Sequence, residues 1–448
     1  MPLPPPPFST TTDDSVDNSA AMLTFSIHTL GCRLNQTDSA TVAGDLTAHG
    51  YQSVPWGEPS DIVIINSCAV TGIASQKSRQ AVRAAKKRLP DAFVVLMGCE
   101  ATVADAEKYP EVDLIVPNPK PAPLSKLLGD KLIHQQKPLF PAPGDANEDF
   151  LSPGVSLYDE RTRANLKIQE GCDFFCTYCI VPHTRGPARS RNLHDLLREA
   201  SELIRRGHRE IVLTGVNITT YNNSGCNLAD VIERILQLGD GFRIRLGSAE
   251  PGPVVHQVID LMARNPRLCR FLHLPVQYGE DTILKQMGRH YNAAEFERIA
   301  MLAAEKVPDV CLGTDVIAGF PGETDATFAA CKSFLSRLPF GLMHVFTYSP
   351  RPGTPAATMT GRPQKHVAEE RSGELLELAV EKAEVFAKSQ VGKTLDVLVE
   401  EENPPSGWSD NYLHVTIDSP SPVVHNTIQT VAIQSATGKR ELRGNIEQ

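Results

Sequence analysis

Cys172, Cys176 and Cys179 stand in the run EGCDFFCTYCIVP and supply three thiols from one short loop. The C-x3-C-x2-C spacing suits a cubane iron–sulfur cluster, which has four irons and is commonly held by four cysteines. Three local ligands leave one iron without a protein ligand and free to bind a small molecule. That is the geometry needed to chelate the amino and carboxylate groups of S-adenosylmethionine and to cleave it reductively. A structural zinc site usually closes with four ligands, often as C-x2-C pairs. No second pair of that kind occurs in the chain.

A second set of cysteines is dispersed. FSIHTLG (25–31), DIVIINS (61–67) and AFVVLMG (92–98) read as strands, and Cys32, Cys68 and Cys99 stand just past them. Helix-like stretches lie between, such as ASQKSRQAVRAAKKRL, giving the βαβ rhythm of a parallel sheet. The carboxyl ends of parallel strands share one edge, where α/β proteins place their sites. Three cysteines far apart in sequence are therefore expected to meet. The plainer alternative is three buried core thiols.

The elements that must position these groups form an α/β chain of 448 residues with net charge −9, long enough for several domains. The net charge argues against wholesale polyanion binding, so contacts to RNA must come from local basic patches. Ten cysteines, scattered outside the one tight motif, argue against a secreted disulfide scaffold and for metal or redox chemistry in a reducing compartment. No run approaches the ~20 apolar residues of a membrane helix, and the Pro/Ser/Thr-rich start resembles no targeting signal. A cytoplasmic protein away from membranes is expected.

The predicted organisation is a disordered tail (1–22), a βαβ parallel-sheet domain (23–136), a Pro/Gly/Asp-rich linker (137–157) and a second α/β series (158–388). That series begins with RANLKIQEGC and continues with strands in HREIVLTGVN, FRIRLGSAEP, RFLHLPVQYG, DVCLGTDVIAGFPGE and LMHVFTYSP, separated by helical segments. Six such units suit a partial (βα)6 barrel with its chemistry at the strand carboxyl ends. The end of the chain (389–448) reads as a small all-β unit, an antiparallel barrel or sandwich.

Gly171, Phe174, Phe175, Tyr178 and Ile180-Val181-Pro182 around the cysteine loop resemble the radical-SAM signature. TLGCRLNQTDS (29–39), INSCAVTGIASQKSRQAVRAA (65–85), TGVNITTY (214–221) and VFTYSPRPGTPAATM (345–359) extend the resemblance to the methylthiotransferases over nearly the whole chain. Within that family the MtaB type, related to the eukaryotic CDKAL-type enzymes, is the best match. The resemblance implies a TRAM domain at the C-terminus, a second [4Fe–4S] cluster on Cys32, Cys68 and Cys99, and S-adenosylmethionine as co-substrate. It also implies the reaction: radical C–H activation, sulfur insertion and methylation, converting N6-threonylcarbamoyladenosine at position 37 of tRNA to its 2-methylthio derivative. A reducing partner such as flavodoxin or ferredoxin is implied, and the sulfur donor is left open.

For S-adenosylmethionine the family pattern points to Thr214, Gly215 and Asn217, to Ser248, Glu250 and Gln277, and to Ile317 and Gly319 in VIAGFPGE. The usual Gln-Ser-Gly-Ser-Asp is Gln277-Tyr278-Gly279-Glu280-Asp281 here, and the usual Ser-Ser-Leu-Glu-Pro is Gly247-Ser248-Ala249-Glu250-Pro251. Phosphate contacts are expected from Arg79, Arg83 and Lys87 on the helix after Cys68, whose other reading is a solvated face, and from Arg185, Arg189 and Arg191 in HTRGPARSR. The slightly acidic tail confines any RNA grip there to the Lys439–Arg443 edge. Cys226, Cys269, Cys311 and Cys331 read as buried structural thiols. His183 and His344, near the strand ends, read as structural or loosely substrate-facing. Competing readings are methylthiolation of isopentenyladenosine in tRNA or of a ribosomal-protein aspartate, and, in another class, a non-catalytic iron–sulfur protein for electron transfer or RNA binding.

Overall fold

A computed structural model describes residues 22–118, 122–134 and 162–447. The expected linker, and all of the expected tail but Met22, lie outside these residues.

The first unit runs β1 (Thr24–Thr29), α1 (Arg33–Ala48), β2 (Gln52–Ser53), β3 (Ile62–Ser67), α2 (Gly72–Arg88), β4 (Phe93–Gly98), α3 (Cys99–Val103), β5 (Leu114–Val116) and α4 (Leu124–His134). Its five strands are all parallel in the order β2-β1-β3-β4-β5. Central strand β3 is buried on both faces, as a covered parallel strand must be. Ile62 and Ile64 pack with Val42, Leu46, Leu124 and Leu128 beneath α1 and α4. Val63 and Ile65 pack with Val82 and Ala85 beneath α2. The order reverses between β1 and β3, the switch point where open α/β sheets hold ligands.

The second unit runs β6 (Arg163–Lys167), β7 (Gln169–Glu170), α5 (Val181–Arg185), β8 (Arg189–Ser190), α6 (Leu193–Arg205), β9 (Glu210–Thr214), α7 (Leu228–Leu236), β10 (Arg243–Leu246), α8 (Pro253–Arg264), β11 (Phe271–His273), α9 (Asp281–Gln286), α10 (Ala293–Lys306), β12 (Cys311–Ala318), α11 (Asp325–Arg337), β13 (Phe340–Thr347) and α12 (Lys365–Lys388). Its large strands are parallel in chain order, as two three-stranded sheets β6-β9-β10 and β11-β12-β13. Bridges Ile244–Leu268 and Ser248–His273 join them. This is the expected six-stranded partial barrel. Asparagine caps start its helices: Asn192, Asn227 and Asn292 side chains accept backbone N–H groups at α6, α7 and α10. Helix α1 lies against β6, where Ala40 joins the barrel core and Lys167 meets Asp38 at 2.8 Å.

The third unit, β14 (Thr394–Glu402), β15 (Pro405–Ser409), β16 (His414–Asp418), β17 (Ile428–Ala436) and β18 (Glu441–Ile446), closes as β14-β15-β16-β18-β17. It is not wholly antiparallel as expected, because β16 and β18 pair in parallel. It covers the amino end of the larger barrel. There buried Glu210 holds Arg243 and Arg245, each at 2.7 Å. Both arginines also reach across, Arg243 to the carbonyls of Asp396 and Trp408 and Arg245 to those of Ser409 and Asp410.

Candidate active site

The loop between β7 and α5 carries Cys172, Cys176 and Cys179. It folds tightly because Gly171 adopts φ +71°, and a Cβ there would lie 1.9 Å from the Pro187 carbonyl oxygen. The Cys172 N–H donates to the Gly186 carbonyl, and the Cys179 N–H to that of Cys176. Burial pushes the Cys172 thiol up to about 11 and Cys179 up to about 12, and their neighbouring thiols add to the rise. Such thiols become thiolates only when a cation takes the charge, which is what a metal centre supplies.

The expected S-adenosylmethionine loops gather on the same rim. Gln169 ties two of them together: it donates to the Glu170 and Gly171 carbonyls and accepts the Asn217 N–H at 2.8 Å. A side chain at Gly215 would collide with Gln169, its Cβ 2.9 Å from the carbonyl oxygen. Thr214 and Asn217 are buried, and the Asn217 Nδ2 has no hydrogen-bond partner among the described residues. An unsatisfied buried donor at the end of β9 suits a site built for a polar ligand. Half-buried Ser248 bridges to His273. Gln277 adopts φ +62°, in the left-handed region, and brackets β12 by donating to the Asp315 carbonyl and accepting the Ile317 N–H. The Gly319 N–H donates to the Glu323 carboxylate.

Glu250 lies at the triad, but its carboxylate is already engaged by Arg289. Arg289 also donates to Cys176 Sγ at 3.2 Å, to the Tyr291 hydroxyl at 3.0 Å and to the Pro275 carbonyl at 3.3 Å. Nothing in the run QMGRHY marks this arginine in the sequence. Only its place just past Gly288 (φ +72°) aims it inward.

Cys32 caps α1, Cys68 follows β3, and Cys99 starts α3. Cys32 and Cys68 thus flank the switch point. Gly31 (φ +100°) lets the first turn press on Cys68, since a Cβ there would lie 2.8 Å from Cys68 Cβ. Asn35 fastens both loops by donating to the Leu30 and Ser67 carbonyls. Burial pushes Cys68 up to about 11 and raises Cys99 too, although Arg185 opposes the rise at both. The three dispersed cysteines therefore share one edge of the sheet, with Cys32 and Cys99 near enough to add to the rise at Cys68, and all ten cysteines are free thiols. Cys269, Cys311 and Cys331 are buried elsewhere, while Cys226 is only half-buried.

The two triads adjoin. Ala69, Cys99 and Ile180 form one apolar contact, and Thr102 donates to the Thr184 carbonyl at 3.2 Å. Arg185 spans the joint, donating to Cys99 Sγ at 3.2 Å, Glu170 at 2.8 Å, Asn35 at 2.7 Å and Asp38 at 3.0 Å.

That position corrects the expectation of phosphate binding at Arg185, which is 2 % exposed with its donors consumed by protein groups. Arg191 is corrected likewise. It is fully buried and held by Asp195 at 2.7 Å and Glu199 at 2.5 Å, one turn apart on α6. Arg189 is half-buried, and His183 is exposed. On α2, Arg79 is half-buried 3.7 Å from Glu100 and Arg83 is exposed 3.6 Å from Glu111. Lys77 and Lys87 are also exposed. In the third unit Arg443 is paired with Asp418 and Arg440 turns inward over the Tyr412 ring. The edge expected to hold RNA is reduced accordingly.

Comparison with known proteins matches residues 166–335 to the radical SAM superfamily and residues 24–117 to the uncharacterized protein family UPF0004. The threonylcarbamoyladenosine tRNA methylthiotransferase MtaB of Bacillus subtilis is 32% identical over 92% of this chain and 94% of its own. The protein of the same name from Aquifex aeolicus is 35% identical over 86% of this chain and 95% of its own. A tRNA-2-methylthio-N(6)-dimethylallyladenosine synthase from Rickettsia conorii is 34% identical over 83% of this chain and 87% of its own. Among solved structures, the radical S-adenosylmethionine methyltransferase TsrM of Kitasatospora setae shares the fold at TM-score 0.56 and 16% identity, over 75% of this chain and 77% of its own.

Proposed function

The chain belongs to the MtaB-type methylthiotransferase family, radical-SAM transferases that modify tRNA with S-adenosylmethionine and two [4Fe–4S] clusters, and we propose that its own substrate is N6-threonylcarbamoyladenosine at position 37, beside the anticodon. The observation that carries the two-cluster reading is the joint between the two cysteine loops, where Cys99 packs with Ile180, the neighbour of Cys179.

In this reading Cys172, Cys176 and Cys179 hold one cluster, and Cys32, Cys68 and Cys99 the other. When bound, the clusters and S-adenosylmethionine supply the electron, radical, sulfur and methyl group that place a methylthio group on an unactivated carbon. The protein's own residues orient and exclude. Thr214, Gly215, Asn217, Ser248, Gln277, Ile317 and Gly319 line the co-substrate's seat. Arg289 neutralises Glu250 and steadies Cys176. Arg185 carries the only guanidinium described between the triads and fixes their spacing. Arg83, Lys87 and Arg189 remain to meet the tRNA backbone, where phosphate contacts set affinity and base contacts set specificity. The electron comes from a cytoplasmic reductant such as flavodoxin or ferredoxin.

Two of the relatives above are named for threonylcarbamoyladenosine, and the Rickettsia relative supports dimethylallyladenosine as the second reading. Nucleoside mass spectrometry of tRNA from cells lacking the gene, with and without its restoration, tests the choice. Loss and recovery of 2-methylthio-threonylcarbamoyladenosine is the expected result. Loss of the 2-methylthio-dimethylallyl nucleoside instead would move the substrate to the second reading.

A further inference from the structure

Beneath the rim, the inner wall of the large barrel carries charged groups that the reaction as described leaves unused. Asp315 on β12 and His344 on β13 are register partners. His273, at the end of β11, stands with Nε2 3.2 Å from Asp315. These side chains face inward, since their alternates Leu312 and Val316 pack outward with Phe296, Phe328 and Phe334. A Cβ on Gly313 would lie 2.7 Å from His273 Nδ1. His344 is exposed despite facing inward, so solvent reaches the wall at this level.

Two arginines from the other units arrive at the same place. Arg33, directly after Cys32, donates to the Tyr412 hydroxyl at 2.6 Å. Arg440 lies 4.6 Å over the Tyr412 ring and donates to the Tyr412 carbonyl. Among the described residues neither has a carboxylate at ion-pair distance, and the Arg440 Nε has no hydrogen-bond partner. The Tyr412 ring that both arginines touch packs on Phe271 at 4.5 Å, Phe271 lies 6.3 Å from the His273 ring, and His273 lies 5.8 Å from the His344 ring and holds Asp315. Ligand atoms of His273, Asp315 and His344 lie within 4.8 Å of one another, a spacing that also suits a divalent cation. Two guanidinium groups at the same place oppose a dication and favour an anion.

We propose that Arg33 and Arg440, with His344, form a subsite for a carboxylate on the substrate: the free carboxylate of the threonylcarbamoyl arm. The proposal rests on the substrate reading above and names the residues that decide it. Asp315 lies two residues before Ile317 on the same strand face, about 7 Å below the rim at the usual strand rise. The arm projects its carboxylate away from the adenine amino group by rather more than one extended residue, roughly 5 Å. A base seated about 2 Å below the rim therefore brings that carboxylate to the level of Asp315 and His344. A dimethylallyl arm would leave both guanidinium groups desolvated without an anion, so the same subsite rejects it.

The test uses the full chain with both clusters reconstituted and anticodon stem-loops carrying threonylcarbamoyladenosine, its methyl ester or dimethylallyladenosine. The readout is kcat/KM for methylthiolation of each, with binding of the same stem-loops measured without turnover. The wild type is expected to prefer the carboxylate over the ester by about 100-fold, in line with a doubly charge-assisted contact. Arg33→Gln and Arg440→Gln should each cut that preference about tenfold, and the double variant should bring it near one. Arg33→Lys and Arg440→Lys should retain most of it. A preference unchanged in the Gln variants, with both substrates slowed alike, would overturn the subsite and leave the arginines structural. A further divalent ion removed by His344→Ala would overturn it in favour of a metal. A wild type that modifies only the dimethylallyl stem-loop would overturn the substrate reading itself, which is a separate outcome.

Discussion

Arg289 shows how much a single side chain settles at this rim. It neutralises Glu250 beside three thiols that must carry negative charge when ligating. Arg289→Met leaves that carboxylate unpaired against the triad. Iron should fall from about eight to about four per chain, with 5′-deoxyadenosine formation down at least 100-fold. Retention of full iron content would make Arg289 a packing residue only. The cations of α2 behave differently from Arg185. Arg83→Glu with Lys87→Glu should weaken tRNA binding and lower its salt slope by about one per lost phosphate contact, as measured by filter binding across salt concentrations. At this scale the sequence displayed the cysteines, because ligand spacing is local. It misplaced Arg185 and Arg191, because their burial is imposed by α1 and α6 and a basic run looks alike wet or dry. Arg289 and Arg33 were invisible because the fold, not local spacing, brings their partners: Glu250 and Cys176 lie 39 and 113 residues from Arg289, and Tyr412 lies 379 from Arg33.

The elements were far more legible. Continuous apolar runs such as DIVIINS and alternating strand–helix units specify covered parallel strands, and the six-stranded barrel and five-stranded sheet follow from them. What the pattern could not specify was the two-residue ribbon of β7 with β8, too short to carry a period, or the parallel pairing of β16 with β18. Strand β9 also contributes Glu210, an inward charge at 0 % exposure. Burial alone would raise its carboxyl, but Arg245 and Arg243 outweigh burial and hold it well below the usual carboxylate range. With the folded value depressed, the cluster contributes fully above the ordinary value of 4.5 and loses its contribution as pH falls below that. Glu210→Gln should therefore cost roughly 3–5 kcal/mol at neutral pH, and the gap in Tm between variant and wild type should narrow as pH drops below that value. A gap independent of pH would assign the loss to packing.

As a whole molecule the chain is three units joined by buried charge. The small C-terminal barrel supplies carbonyls to Arg243 and Arg245 and the Asp410 carboxylate to Arg270 at 2.6 Å. Deleting residues 389–448 strips those partners from the floor of the larger barrel. It should lower the melting temperature of what remains and prevent cluster reconstitution at Cys172, Cys176 and Cys179, as read by iron content and visible absorbance. A truncated chain that takes up its full iron would show the larger barrel to be independent. Composition and periodicity divide the chain into units but say nothing of how they dock, which is why the joint escaped the sequence.

Helix α1 sets a timetable for making the molecule. Its buried Asp38 finds its counter-charges on Lys167, 129 residues later, and on Arg185, 147 residues later. At ordinary synthesis speeds the helix leaves the ribosome on the order of ten seconds before β6. During that interval the face of α1 that will seal the barrel, with Asp38 and Ala40, has no barrel to rest on. The nascent first unit is thus obliged to wait half-dressed, and chaperones have their opening there.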